Sequence, residues 1–332
     1  MDDALKTFHI GKTFGDNKGN INALDFHRSE DLVVSAGDDE SIHLYNTATG
    51  AKVKTVMSKR YGVACISFTH DPKSVICASK NPWDESLRYL SLHDNRYFKG
   101  HRDRVVGVSM SPKNDTFMSA SLDKTIRFWD LRNTACQGLL QTHCSGHPCA
   151  AYDQQGLVVA VSTEDGLLKL YDVRSFEKGP FTTFHLQPTA EGKSPPILSS
   201  LMFSYDGWKI FATSPGCIQI LDAYKGTCLH TIHRPEAPSM PPQNFDISIS
   251  PDDQYVISGC PDYTIRAWRV SNGTEAACWS GLSGLATVVK WAPRRKLVAS
   301  GDTEGKLALW VPTAKPPTIT TIDVDDDMMT GP

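Results

Sequence analysis

A histidine, an aspartate and a tryptophan lie between residues 100 and 132 at a spacing that suits a buried hydrogen-bonded relay. They are His101, Asp123 and Trp129, and either Ser119 or Ser121 is the expected fourth member. An imidazole can link a hydroxyl group to a carboxylate, whereas an indole donates a hydrogen bond and accepts none. Each residue type therefore has a place in a relay that joins neighbouring strands. We predict that this relay is structural and that no residue of the chain is catalytic.

Other patterns that carry chemistry are missing or weak. The sequence has no glycine-rich phosphate loop, no Gly-x-Ser-x-Gly and no His-Glu-x-x-His. A cluster of possible zinc ligands consists of His143, Cys144, His147 and Cys149. Their spacing is poor for zinc, and Gly146-His147 repeats Gly100-His101 of the relay segment. We therefore predict no metal and no cofactor.

The relay segment is one copy of a repeat that runs along the whole chain. Strand-period alternation fills VVGVSMSP and TFMSASLD, and a tight turn at residues 123–125 leads into the strand 126–130. Seven positions align on Trp129, at intervals of 39 to 50 residues: Tyr45, Leu90, Trp129, Tyr171, Leu221, Trp268 and Trp310. A WD-repeat propeller uses roughly 40–45 residues for each four-stranded blade. The chain is therefore predicted to be all-β, a seven-bladed WD-repeat β-propeller.

The last repeat stops at residues 310–312, before its outermost strand. Residues 5–14 precede the first blade and can supply that strand, which would close the ring and remove an open edge. We therefore predict one propeller domain at 1–312, itself monomeric, followed by an acidic and disordered tail at 313–332. No residues at the strand starts were found that would converge on the central channel as a catalytic set.

Charge and composition narrow the range of partners. The tail has a net charge of −3, which leaves 33 basic and 33 acidic residues in the body. A neutral body argues against direct binding of nucleic acid. No apolar run approaches the ~20 residues of a membrane span, and nine cysteines without a Cys-x-x-Cys pair suit a reducing compartment. Two proline-rich insertions, 184–198 and 233–245, are predicted to project as loops.

A binding surface is predicted on one face of the ring, where the turns between second and third strands meet the connections between blades. Blades two and three place basic and aromatic residues there: Lys59, Arg60, Tyr61, Trp83, Arg102, Arg104 and Lys124. Such a surface suits an acidic or phosphorylated peptide. The alternative is that these are solvated loop charges without a ligand, since Arg and Lys are mostly exposed.

Several segments resemble one family, that of WD repeat-containing protein 82 (Swd-two), over about residues 5 to 312. They are SKRYGV (58–63), LRYLSLHDNRYFKGH (87–101), DTFMSASLDKTIRFWDLR (115–132), CQGL (136–139), KLYDVRSFEKGPFTTF (169–184) and DAYKG (222–226). The second is distinctive because Leu90-Ser91 replaces the Trp-Asp of a regular repeat. The two proline-rich insertions and the acidic tail depart from the family pattern.

The resemblance implies a nuclear adaptor without activity of its own. The family serves COMPASS-type histone H3 lysine methyltransferases, a protein phosphatase 1 complex built on a nuclear targeting scaffold, and in yeast-like organisms the cleavage and polyadenylation factor. It is associated with the phosphorylated C-terminal repeat of RNA polymerase II, for which Lys59, Arg60, Arg102 and Arg104 are candidate contacts. Which complex this chain serves stays open, because its departures from the family pattern suggest a divergent lineage.

A second class of function is suggested by Trp129-Asp130-Leu131-Arg132 and its echo Tyr171-Asp172-Val173-Arg174. This WDxR pattern resembles the docking motif of WD-repeat substrate receptors in cullin-type ubiquitin ligases. Arginine at this position is also common in ordinary WD repeats, so the motif alone does not decide between the two functions.

Overall fold

The computed structural model describes residues 2–58, 62–81, 85–91, 95–164, 166–188, 196–235 and 243–313. These residues form seven four-stranded antiparallel sheets, with a helix of one turn, Asp2–Leu5, and a short 3-10 helix, Phe176–Lys178. The seven-bladed propeller predicted from the repeats is confirmed. No helix among the described residues is long and apolar enough to cross a membrane.

The first four blades follow one another along the chain, each beginning with its innermost strand. Blade 1 has β2 Ile21–Phe26, β3 Leu32–Gly37, β4 Ser41–Asn46 and β5 Ala51–Met57; blade 2 has β6 Val63–Phe68, β7 Val75–Ser79, β8 Leu87–Leu90 and β9 Asn95–Phe98; blade 3 has β10 Val105–Met110, β11 Thr116–Ser121, β12 Thr125–Asp130 and β13 Asn133–Gln141; blade 4 has β14 Ala150–Tyr152, β15 Val158–Glu164, β16 Leu167–Asp172 and β17 Thr182–His185.

The last three blades repeat this order, except that the outermost strand of blade 7 comes from the start of the chain. Blade 5 has β18 Ser200–Phe203, β19 Lys209–Thr213, β20 Cys217–Asp222 and β21 Cys228–His233; blade 6 has β22 Ile247–Ile249, β23 Tyr255–Gly259, β24 Ile265–Arg269 and β25 Glu275–Trp279; blade 7 has β26 Ala286–Trp291, β27 Val298–Asp302, β28 Leu307–Pro312 and β1 Phe8–Phe14.

Strand β1 closes the ring, as predicted. It pairs antiparallel with β28, so that Phe8 lies opposite Pro312 and Phe14 opposite Leu307. The Phe8 ring stacks on Trp279 of blade 6 with the ring centroids 4.8 Å apart. Apolar burial therefore reinforces the backbone pairing where the two ends of the chain meet.

The hydrophobic core is divided among the interfaces between blades. One cluster joins Leu170 and Phe184 of blade 4 to Phe203 and Leu221 of blade 5. Because each sheet buries its faces against its neighbours, loop positions are held by packing on both sides. We call upper the face that carries the turns between second and third strands and the connections between blades; the other face is lower.

The proline-rich insertions differ from the prediction at their ends. Phe184 and His185 belong to β17, and His233 belongs to β21. Leu186 and Leu198 are buried in the core between blades 4 and 5. These ends are therefore packed and do not project, because apolar side chains flank the prolines. The centres, 189–195 and 236–242, lie outside the described residues.

Candidate functional site

The relay residues of blade 3 are brought together. Trp129 Nε1 donates to Ser119 Oγ at 2.8 Å, and Ser119 Oγ lies 2.7 Å from His101 Nε2. His101 Nδ1 lies 3.0 Å from Asp123 Oδ2. Since an indole N–H can only donate, the Ser119 hydroxyl donates to Nε2, and Nδ1 carries the imidazole proton that Asp123 accepts. Ser121, the other candidate, donates to the Asp103 carbonyl oxygen at 2.7 Å.

The protonation states in this relay follow from burial and hydrogen bonding. Burial lowers the pKa of His101 and outweighs the opposing effect of Asp123. Burial raises the pKa of Asp123, but hydrogen bonds from Thr125, the Arg102 N–H and His101 outweigh it and lower that pKa to about 2. The pair is therefore a neutral imidazole beside a carboxylate at neutral pH.

Other blades use different residues at the relay positions. In blade 1, Ser35 Oγ donates to Asn17 Oδ1 at 3.4 Å. In blade 6 the buried Arg234 takes this place: its Nε donates to Ser258 Oγ at 3.2 Å and its Nη1 to the Ser214 carbonyl oxygen at 2.6 Å. Sequence reasoning missed Arg234, because a long insertion separates it from its blade.

The three described members of the predicted upper surface lie together on blade 3. The backbone N–H of Arg102 binds Asp123 Oδ2, and the Arg104 carbonyl oxygen accepts the Leu122 N–H. All three side chains (Arg102, Arg104, Lys124) are exposed, and none forms an ion pair within the described part of the chain. Lys59, Arg60, Tyr61 and Trp83 lie outside the described residues.

Neighbouring groups define how this surface is charged. Burial, and then the positive charge of Arg104, lower the pKa of His147 at the start of blade 4. On blade 1, Asp38 is paired with Lys80, and Asp39 accepts the backbone N–H of Lys18 at 2.9 Å. Asp103, the exposed carboxylate between Arg102 and Arg104 in sequence, accepts the Arg104 backbone N–H at 2.6 Å. No carboxylate in the described part of the chain forms an ion pair with the three cations of blade 3.

The central channel has a volume of about 690 Å3 and carries charged groups that the sequence analysis did not find. Lys290 Nζ lies 2.7 Å from Asp246 Oδ2. Burial opposes charge on Lys290, but Asp246 outweighs it and raises the pKa of the amine. Burial also raises the pKa of Asp25, whose Oδ2 accepts the Phe68 N–H at 2.8 Å. Lys290 and Asp246 pair with each other, and Asp25 accepts hydrogen bonds from the Phe68 N–H and the Ser67 hydroxyl. No signal in the repeat pattern marks these groups.

The remaining sequence candidates occupy separate places. Arg132 of the WDxR pattern is exposed on the lower face, and its Nε and Nη2 each lie 3.0 Å from the Asp130 carboxylate. Among the described residues no group of three or more His, Cys, Asp or Glu side chains is arranged to hold a metal ion. Cys149 is buried, and burial raises its pKa to about 12. The thiol is therefore protonated at neutral pH.

Seven four-stranded blades and the His101 relay define the class of this protein, a WD-repeat β-propeller. The family described as "WD domain, G-beta repeat" matches residues 8–46, 93–130 and 226–269. The first match runs from β1 to β4, and the second contains the complete relay of blade 3. Each match begins at the outermost strand of one blade and ends at the third strand of the next, so the sequence repeat is offset from the blade by one strand.

Relatives identify the family within this class. The chain is 41% identical over 334 residues to Protein ANTHESIS POMOTING FACTOR 1 of Arabidopsis thaliana, covering 96% of this chain and 97% of that protein. It is 39% identical to WD repeat-containing protein 82 of Drosophila melanogaster, with 95% and 98% covered. It is 36% identical to Set1 complex component swd2 of Schizosaccharomyces pombe, with 89% and 79% covered. The chain belongs to the WD repeat-containing protein 82 family, as the resemblance predicted.

Proposed function

We propose that this chain is a non-enzymatic scaffold subunit of nuclear complexes that act on chromatin and transcription. It serves a Set1-type histone H3 lysine methyltransferase, a protein phosphatase 1 complex that acts on RNA polymerase II in transcription termination and RNA 3′-end processing, or both. Support for the first comes from the fission yeast relative, which is named as a Set1 complex component. In this role the chain binds short linear segments of its partners.

The observation that carries the binding role is the cationic group on the upper face of blade 3. Arg102, Arg104 and Lys124 present their charges without carboxylate partners in the described part of the chain. The Arg102 backbone is fixed by Asp123, so the relay also holds the loop that presents the cations. Guanidinium and ammonium groups bind carboxylate and phosphate oxygens strongly when they are positioned in advance.

The mechanism is rigid presentation. Blade-to-blade packing fixes the upper loops, so a partner's segment orders itself against a surface that changes little. The phosphorylated C-terminal repeat of RNA polymerase II is the ligand that we propose for Arg102, Arg104 and Lys124, together with Lys59 and Arg60. Affinity then depends on phosphate contacts and falls as salt concentration rises.

Affinity purification of the full chain from nuclei tests which complex it serves. Methyltransferase or phosphatase subunits are the expected partners. Recovery of a cullin adaptor in their place would favour the ubiquitin-ligase reading of the WDxR pattern. Loss of that adaptor in an Arg132→Ala variant would assign the contact to the motif. A purified chain that turned over a substrate unaided would contradict the scaffold role.

A charge-reversal variant tests the upper surface. Arg104→Glu with Lys124→Glu is expected to weaken binding of a doubly phosphorylated heptad-repeat peptide by at least about tenfold, as measured by fluorescence polarisation. Lys178→Glu with Lys225→Glu makes the same change of charge on the lower face and is the matched control. Equal affinity of the two double variants for the peptide would show that Arg104 and Lys124 do not bind it.

A further inference from the structure

The inner strands of four blades contain the same irregularity where they enter the upper end of the central channel. In β10, Val105 pairs with Ser121 and Gly107 pairs with Ala120, so Val106 is an extra residue between two paired ones. Strands β2, β6 and β26 have a bulge at the same place. The four extra residues are half-buried and line the channel: Asn22, Ala64, Val106 and Thr287. Because a β-bulge re-aims a side chain, these residues set the chemistry of the channel mouth.

The channel mouth has a polar side and an apolar side. On blades 7 and 1 the extra residues are Thr287 and Asn22, and Asn22 Nδ2 donates to the Val63 carbonyl oxygen at 2.9 Å. On blades 2 and 3 the equivalent residues are Ala64 and Val106, whose side chains carry no polar atom. We call these two residues the apolar seat. Exposure of apolar atoms to water is unfavourable, so a ligand side chain that covers the apolar seat gains free energy.

The apolar seat adjoins the cations of blade 3. Arg104 is exposed and comes two residues before Val106, at the start of β10. The Arg104 carbonyl oxygen accepts the Leu122 N–H at 3.0 Å, which fixes the backbone between the cation and the apolar seat. A segment whose phosphate binds Arg104 therefore has its neighbouring side chains next to the channel mouth.

The lower end of the channel is crossed by a side chain, so a ligand enters from the upper face. Arg28 of blade 1 donates from Nη1 to the Pro112 carbonyl oxygen at 2.9 Å and from Nη2 to Gln154 Oε1 at 3.1 Å. Pro112 belongs to blade 3 and Gln154 to blade 4, so these bonds join blades that are not neighbours in the ring. The channel volume of about 690 Å3 falls within the roughly 300–1,000 Å3 of pockets that bind small ligands.

We propose that the apolar seat binds an aliphatic or aromatic side chain of the same phosphorylated segment that binds the cations of blade 3. The proposal rests on the proposed function, which supplies the phosphate, and adds a requirement for an apolar residue close to that phosphate. The ligand is therefore a phosphorylated peptide that inserts one apolar side chain into the channel from the upper face. Burial of this side chain is expected to contribute about tenfold to the affinity.

Selection from a phosphoserine peptide library on the immobilised full chain tests this proposal. Each peptide has five random residues on either side of the phosphoserine. Leu, Ile, Met, Phe or Tyr is expected to be enriched at one fixed position relative to the phosphoserine. If the recovered peptides need the phosphate but show no apolar preference at any position, the apolar seat is not a binding site and the proposed function stands.

A different result of the same selection would contradict the proposed function itself. Recovery of peptides that bind equally well without the phosphate, or equally well to Arg104→Glu/Lys124→Glu, would show that the cations of blade 3 bind no phosphate. The inference about the apolar seat would then fail with it, because the phosphate places the segment at the channel mouth. The two failures are therefore distinguishable by the dependence of binding on the phosphate.

A double-mutant cycle then tests contact with the apolar seat in fluorescence polarisation. One enriched peptide is compared with a copy in which its apolar residue is Ser, and the natural chain is expected to prefer the first by about tenfold. Val106→Thr, which makes the seat resemble Thr287 of blade 7, is expected to reduce this preference to about threefold. Val106→Trp, which fills the seat, is expected to bind both peptides equally. Thr287→Val, the reverse exchange on the polar side, is the matched control and should keep the tenfold preference.

An undiminished preference in Val106→Trp would place the apolar side chain elsewhere and overturn the proposal. Binding of all variants should still depend on the phosphate, since Arg104 and Lys124 are unchanged. Thermal unfolding of each variant verifies that it is folded. If Val106→Trp does not fold, Ala64→Leu fills the seat from blade 2 and makes the same comparison.

Discussion

Ser119 is central to the relay because its one oxygen contacts both Trp129 and His101. Ser119→Ala leaves two buried nitrogen atoms without their partner, so we expect the free energy of unfolding to fall by about 2–3 kcal/mol. Ser300→Ala is the matched control, because Ser300 Oγ accepts Trp310 Nε1 at 2.9 Å in blade 7. That change breaks one such bond and is expected to cost about 1 kcal/mol. Urea unfolding measures both, and equal losses would show that the His101 contact contributes nothing.

The two titrating groups of the relay predict how stability depends on pH. The folded-state pKa of His101 is lowered, so the unfolded chain binds the proton first and stability falls as pH drops below about 6.5. Asp123, with its pKa lowered to about 2, adds a second loss between about pH 5 and pH 2. Thermal unfolding from pH 7.5 to pH 4 measures the loss of stability that is assigned to His101.

His101→Gln is expected to reduce the slope of the melting temperature against pH near pH 6. It should not abolish that slope, because burial also lowers the pKa of His43 and of His147. Asp123→Asn should keep the loss of stability that begins below about pH 6.5 and should lack the second loss between about pH 5 and pH 2. An identical slope in His101→Gln and the natural chain would contradict the assigned protonation states.

Spacing alone could predict the relay of blade 3 and the position of Asn17 in blade 1, but not the place of Arg234 in blade 6. His101 precedes Trp129 by 28 residues, and the same interval leads from Asn17 to Tyr45. Asn17 could therefore have been found from the pattern, although a histidine is expected there. Arg234 precedes Trp268 by 34 residues, because the proline-rich insertion lengthens the interval. The charged groups of the channel depend on which strand faces meet, which no spacing encodes.

Strand β1 is the element on which closure of the ring depends. Trp279 Nε1 donates to the Leu5 carbonyl oxygen at 2.8 Å, and Phe8 packs on Trp279. Phe8→Ala opens a cavity among large rings, so we expect the free energy of unfolding to fall by about 3–5 kcal/mol. Phe181→Ala removes an exposed ring and is the control. Its free energy of unfolding should stay within about 0.5 kcal/mol of that of the natural chain. Chemical denaturation compares the two.

Deletion of residues 1–14 is expected to have a larger effect, because it leaves the edge of β28 unpaired. An open edge of this kind pairs with other chains. The truncated chain should therefore form concentration-dependent oligomers, detected by light scattering, while Phe8→Ala stays monomeric. A monodisperse truncated chain with the natural melting temperature would show that the ring does not need β1.

The elements were easier to predict from sequence than the loops between them. Each of the seven positions aligned on Trp129 lies in the third strand of its blade, because the alternation and the turn before each strand mark it. The ends of the insertions were harder. Prolines indicated loops, yet Leu186, Leu198 and Phe245 are buried, since apolar residues beside the prolines pack between blades. Local composition indicates where regular structure stops and does not indicate where burial stops.

At the scale of the molecule, the ring separates an upper from a lower face. The cations of blade 3 lie on the upper face, and the Arg132–Asp130 pair lies on the lower face of the same blade. Four-stranded antiparallel sheets that are packed on both sides do not deform readily. A scaffold built in this way can present the cations of blade 3 to a partner without changing its own shape.

Rigidity predicts that Arg104→Glu/Lys124→Glu weakens binding of the phosphorylated heptad-repeat peptide without destabilising the fold, because both side chains are exposed. The free energy of unfolding of this variant should stay within about 0.5 kcal/mol of the natural value for each substitution. Isothermal titration and urea unfolding of the same samples measure the two properties. A loss of binding that followed a loss of stability would require two arrangements of the ring with unequal affinity for the peptide. In that case rigid presentation would no longer describe how the propeller works.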